Sequence, residues 1–187
     1  KGPFLCGDMP LMSYRLYEVQ ALKNASRLVQ VGGVQAVKLE GGRDIVPCVE
    51  KIVNAGIPVV GHLGFTPQHI HAVGGFKVAA KSQDEADRLR EDAKALCEAG
   101  VCALVLEMVP ATVAAKITQE LPIPTIGIGA GPECDGQILV LHDMLGFDPE
   151  FSPKFLKRYG NMAEAIGSAI AEYDQDVKSG QYPEAVS

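Results

Sequence analysis

A short apolar run ending in a polar residue, then a stretch of helical spacing, recurs along these 187 residues. Phe4-Leu5-Cys6-Gly7-Asp8 is the first such run. Glu18 to Val31 then sets Val19, Leu22, Ala25, Leu28 and Val29 on one helical face. Ala36-Val37-Lys38-Leu39-Glu40 is the second run, and a helix is expected over Asp44 to Ala55, with Asp44 as N-cap and Gly56 as stop. Pro58-Val59-Val60-Gly61-His62 is the third, followed by a long Gly-rich connection from Leu63 to Lys81. Ser82 to Ala99 opens with a capping box, Ser82 to Glu85, and ends at Gly100. Ala103 to Glu107 is a fourth strand, Ala111 to Glu120 a helix, Thr125 to Gly129 a fifth strand and Ile138 to Leu141 a short sixth. Asn161 to Lys178 reads as a surface helix. Strands alternating with helices imply βα units around a parallel sheet, here in one α/β domain over 1–187.

The polar residues mark where chemistry belongs. Asp8, Lys38 with Glu40, His62 and Glu107 fall at the carboxyl ends of four successive strands. In a βα barrel those ends form one rim, the face that carries active sites. Charges inside strands are otherwise costly to bury. Six strands do not close an eight-stranded barrel of about 250 residues. The expectation is therefore a (β/α)₈ TIM barrel represented by roughly strands 3–8, its first two βα units absent.

Composition narrows the function classes. The chain is 47% hydrophobic and 21% charged, ordinary for a folded enzyme. A net charge of −6 and no Lys/Arg cluster disfavour a nucleic-acid partner. The run Val101 to Leu106 is far short of the roughly 20 residues that span a bilayer. Nothing near Lys1 resembles a signal peptide, so a cytoplasmic protein is expected. Cys6, Cys48, Cys97, Cys102 and Cys134 are scattered without zinc spacing and read as buried reduced thiols.

Each candidate has two readings on spacing alone. Asp8 and Glu40 are hard oxygen donors suited to Mg²⁺; alternatively Asp8 caps a turn before Pro10 and Glu40 pairs with Arg43. Lys38 lies two residues from Glu40, on the same side of its strand. It binds a carboxylate, forms a Schiff base, or supports the rim as an ion pair. His62, flanked by Gly61 and Gly64, is an acid/base or carbonyl hydrogen-bond group, or a structural histidine. Glu107, after Leu104-Val105-Leu106, is a general base or a rim salt bridge. His69 and His71 are expected at the surface. Gly127-Ile128-Gly129-Ala130-Gly131 fails the dinucleotide fingerprint because Pro132 stands where the last glycine belongs.

Several strings, in order along the chain, resemble the ketopantoate hydroxymethyltransferase family. They are Asp8-Met9-Pro10, Val37 to Gly42, Gly61 to Gln68, Gly74 to Val78, Val105 to Glu107, Ile126 to Gly131 and Asp135 to Asp143. The resemblance implies a barrel of the phosphoenolpyruvate/pyruvate superfamily type. It also implies transfer of a hydroxymethyl unit from 5,10-methylenetetrahydrofolate to 3-methyl-2-oxobutanoate, with Mg²⁺, in pantothenate synthesis. By matching position it makes Asp8 and Glu40 metal residues, Asp8, Lys38 and His62 substrate-binding, and Glu107 the proton acceptor. It further implies an Asp-Ser pair on a strand before Lys1, and a homo-oligomer, often a decamer. Two other classes compete: a lyase or phosphonomutase of the same superfamily, whose Lys-Lys-Cys-Gly-His-like loop is missing here, and a non-catalytic scaffold subunit.

Overall fold

The structure, a computed structural model, describes residues 2–75 and 78–184. They fall into two compact units, Lys1–Ile138 and Leu139–Ser187.

The first unit holds a six-stranded sheet: β1 Cys6–Asp8, β2 Ala36–Glu40, β3 Val59–Gly64, β4 Ala103–Glu107, β5 Thr125–Ile128 and β6 Gly136–Gln137. The strands are parallel and paired in chain order, a half-barrel whose outer strands β1 and β6 each have one described partner. Between them run α1 Glu18–Gln30, α2 Val46–Val53, α3 Ile70–Val73, α4 Gln83–Glu98 and α5 Ala111–Glu120.

Side chains alternate across a strand, so each strand feeds two layers. Val37, Leu39, Val59, Leu63, Leu104 and Leu106 join the larger core, with Ala21 and Ala25 of α1, Val49 and Ile52 of α2, Leu96 of α4 and Ile117 of α5. Truncating one of these leucines to alanine costs about 2–5 kcal/mol. The residues between them form a separate, smaller cluster of Ala36, Val60, Val105 and Ile128. Register aligns that second face: Asp8 lies beside Lys38, Glu40 beside His62, His62 beside Val105, and Gly64 beside Glu107. Every predicted site residue shares the face of the small cluster.

The second unit contains α6 Leu141–Leu145 and α7 Met162–Ser179. Its connection is held by Arg158, which donates to the carbonyls of Asp148, Pro149 and Phe151.

Most elements form where expected, and β2, β4 and α5 match to the residue. The Ser82–Glu85 capping box is present at α4. Its backbone N–H groups, from Ser82 and Lys81, hold the Glu85 carboxyl below the usual carboxylate range. Four expectations need correction. Asp44 does not cap α2; its oxygens accept from Gly42 N–H and Arg15, and a 3-10 turn, Arg43–Ile45, precedes the helix. The sixth strand is Gly136–Gln137, because Leu141 already opens a helix closed by left-handed Gly146. The connection after β3 contains a 3-10 turn, Pro67–His69, before α3; Phe76 and Lys77 of the quoted glycine string lie outside the described residues. Only Cys48 and Cys134 are buried, while Cys6 and Cys102 are exposed.

Gly64 connects this framework to the site. Its φ of +97° is left-handed, and a Cβ there would collide with the carbonyl oxygen of Glu107. Gly56 is left-handed too, at +85°, but faces open space. Gly56→Ala should therefore cost only backbone strain, about 1–2 kcal/mol. Gly64→Ala adds a backbone collision that cannot relax without moving Glu107, so its cost should exceed that of Gly56→Ala. Urea denaturation of both variants checks the order; equal losses would show that the β3–β4 approach is not tight.

Candidate active site

At the carboxyl ends of β1 to β4 the predicted residues make one continuous polar network. Lys38 is its centre. Its Nζ lies 3.0 Å from Asp8 Oδ1, 3.5 Å from Glu40 Oε1 and 3.2 Å from His62 Nδ1. His62 turns its other nitrogen to Glu107, with Nε2 3.1 Å from Oε2. That pair is within ion-pair distance but off the line of a formed hydrogen bond, and Nε2 has no other partner. An ammonium only donates, so His62 Nδ1 accepts, which leaves the neutral ring's proton on Nε2, facing Glu107.

Burial differs sharply along the chain of groups. The side chains of Glu40 and His62 are 2% and 4% exposed, Glu107 15% and Lys38 20%, whereas Asp8 is 58% exposed. Isolated buried carboxylates are strongly unfavourable, so the network itself is what lets Glu40 sit there. The surface alternative of a Glu40–Arg43 pair is not what forms: Arg43 bonds Glu91 and Asp92 instead.

Glu107 is held by its backbone. Its carbonyl accepts from Phe65 N–H at 2.8 Å, through the space that Gly64 leaves open. The next residue, Met108, has a left-handed φ of 49°, pinned by hydrogen bonds to Ile128 and Ala79. Such strain in a non-glycine residue commonly marks a functional turn.

Three participants were not apparent in the sequence. Tyr14, fully buried, places its phenol oxygen 3.1 Å from both the N and O of Glu40. Burial pushes that phenol above its ordinary range, so it remains a donor. Arg15 donates to the Glu40 carbonyl and to Asp44. Gln68 donates its backbone N–H to Glu40 Oε2 at 3.0 Å. Gln68 lay inside a quoted string, but nothing periodic pointed to Tyr14. His69 is half-buried and bonds Thr66, while His71 is exposed; neither joins the network.

Asp8 and Glu40 both reach one cationic centre, the Lys38 ammonium. Among the described residues no group of three or more His, Cys, Asp or Glu side chains gathers as a metal site. Cys6 precedes Asp8 by two residues on the same strand face. Although part of it is exposed, desolvation of the sulfur, with Cys102 nearby, pushes its thiol up to about 11. It stands as a neutral thiol, not a nucleophile.

The comparisons with known proteins bear on the family of the chain. A sequence model described as ketopantoate hydroxymethyltransferase matches residues 1–185. The chain is 54% identical to the 3-methyl-2-oxobutanoate hydroxymethyltransferase of Carboxydothermus hydrogenoformans over 98% of its length, covering 67% of that protein. It is 55% identical to that of Moorella thermoacetica over 95%, covering 66%. The chain thus spans about two thirds of the length of the curated relatives it matches. Among solved structures, a putative lyase/mutase from Burkholderia cenocepacia J2315 superposes with a TM-score of 0.50 at 13% identity, over 92% of this chain and 61% of that one. That likeness concerns the parallel α/β fold alone. With a family match over nearly every residue and relatives more than half identical, the chain belongs to the ketopantoate hydroxymethyltransferase family.

Proposed function

We propose that this chain carries the catalytic rim of a 3-methyl-2-oxobutanoate hydroxymethyltransferase, transferring a one-carbon unit from 5,10-methylenetetrahydrofolate to the keto acid to give ketopantoate. The observation that supports this most is the single network from Asp8 and Glu40 through Lys38 and His62 to Glu107. It provides a cation-binding end, a carboxylate-binding centre and a basic end on one sheet face. In this reading the six strands belong to a closed (β/α)₈ barrel, and the enzyme works in the cytoplasm as a homo-oligomer.

Asp8 and Glu40 are the residues that would hold Mg²⁺. Their carboxylate oxygens are the hard donors Mg²⁺ takes, and the Lys38 ammonium that now stands 3.0 Å from Asp8 and 3.5 Å from Glu40 would have to move aside for it. A bound Mg²⁺ withdraws electron density from a carbonyl and so makes the adjacent C–H bond more acidic. Lys38 binds the keto acid's carboxylate, with its ammonium partly open to solvent and oriented by Asp8 and Glu40. Glu107 removes the proton from C3, and the resulting carbon nucleophile adds to the methylene carbon of the folate donor as its bond to one folate nitrogen breaks and that nitrogen takes up the proton. Water then displaces the second folate nitrogen, leaving its oxygen as the product's hydroxyl and its proton on the departing tetrahydrofolate. His62 lies between Lys38 and Glu107, with its Nε2 3.1 Å from Glu107 Oε2.

Two outcomes test the assignment. Proton removal needs no folate, so the protein with Mg²⁺ and 3-methyl-2-oxobutanoate alone should exchange the C3 proton with deuterium oxide. Glu107→Gln keeps the shape but cannot accept a proton, and exchange followed by NMR should fall about 10²–10⁴-fold. Exchange at the unsubstituted rate would transfer the role to another group, His62 first. Lys38→Ala should raise KM for the keto acid roughly 10- to 100-fold, the loss of a charge-assisted hydrogen bond. Steady-state kinetics read this directly, and an unchanged KM would remove Lys38 from the binding site.

A further inference from the structure

We propose that Ile128 sets which 2-oxo acids the site accepts, by packing against the alkyl substituents of C3; this rests on the reading of the reaction above.

The rim divides by chemistry across the sheet. Its ionic groups begin on the first three strands, with Asp8 on β1, Lys38 and Glu40 on β2 and His62 on β3. Glu107 ends β4. Beyond it the same face turns apolar. Register sets Ile128 of β5 beside Glu107, and Ile126 beside Val105. Ile128 and Val105 are 7% and 5% exposed, in one cluster with Ala36 and Val60 against which Ile126 packs. On the other side of Glu107 the neighbour in register is Gly64, which has no side chain to offer. Ile128 is therefore the apolar side chain directly beside the base.

A branched 2-oxo acid divides in the same way, with anionic oxygens at one end and methyl groups on C3 at the other. Methyl groups gain from an apolar neighbour, whereas carboxylates beside them would lose solvation. Once the carboxylate is on Lys38 and the C3 proton points to Glu107, the ionic side of the rim is taken. The methyl groups then turn toward β5, whose backbone lies about 4.8 Å from that of β4.

Ile128 is built to be a fixed wall. Its side chain is branched at Cβ and stiff at χ1. Its carbonyl accepts from Met108 N–H at 2.9 Å, which ties it to the residue after Glu107. A fixed apolar wall discriminates by size, and one methylene more or less changes kcat/KM about 10–200-fold.

The test is a competition in deuterium oxide between 3-methyl-2-oxobutanoate and 3-methyl-2-oxopentanoate, with the protein and Mg²⁺. Each acid has one C3 proton, and the second is longer by one methylene. NMR follows both signals in one tube, so the ratio of exchange rates does not depend on how much protein is active. The unsubstituted protein should favour the shorter acid. Ile128→Ala should move the ratio toward the longer one by about tenfold or more. Ile128→Val removes a single carbon and should move it the same way by less; it also carries the test if Ile128→Ala does not fold. A purely structural role would lower the melting temperature and slow both acids by one factor, and an unchanged ratio overturns the proposal. Failure of the unsubstituted protein to exchange either acid is a different result: it removes the reaction reading itself, and the role of Ile128 with it.

Discussion

The structure of the rim depends on one positive charge, the ammonium of Lys38, placed among side chains that could not be buried without it. Glu40 is nearly inaccessible, and Lys38 is the cation within reach of its Oε1. Removing one partner of a buried pair typically costs about 3–5 kcal/mol, because the remaining charge is left uncompensated. Asp8, largely exposed, contributes much less through its pair with Lys38, since solvent screens it. The same ammonium orders the histidine. By donating to Nδ1 it sets the tautomer that His62 presents to Glu107. Charge balance and ring orientation thus both trace back to one lysine.

That lysine reaches its partners because of the register of the parallel sheet. Alternation sends Val37, Leu39, Leu104 and Leu106 to the helices and Lys38, Glu40, Val105 and Glu107 to the opposite face. The leucine layer supplies the burial that stabilises the strands, which leaves the other layer to chemistry. Gly64 then lets β3 and β4 approach closely at the level of Glu107. On the same face as the polar residues, Ala36, Val60, Val105 and Ile128 form a small buried apolar cluster.

Much of this was legible in the sequence, and the limits have physical causes. Short runs rich in apolar residues and ended by a carboxylate identified β2 and β4. The capping box at Ser82 and the left-handed glycines marked helix ends. Asp8, Lys38, Glu40, His62 and Glu107 were all found at strand ends. What sequence spacing could not decide was pairing. Asp44 had the composition of an N-cap, but Arg15 and Gly42 compete for its oxygens, and that is a tertiary fact. Glu40 had Arg43 three residues away, yet burial sends it to Lys38. Tyr14 and Gln68 were missed as partners because they meet across 54 residues, and no local pattern encodes that meeting. Ile138 to Leu141 read as a strand on apolarity alone, although pairing stops at Gln137.

The central claim is that Lys38 and Glu107 act on the two ends of one bound keto acid. A crystal structure of the protein with Mg²⁺ and 3-methyl-2-oxobutanoate tests it most directly. The account predicts the substrate carboxylate on Lys38 Nζ and C3 about 3–3.5 Å from a Glu107 carboxylate oxygen, the separation of a reactive pose. A keto acid bound with its carboxylate away from Lys38, or with C3 out of reach of Glu107, would contradict it.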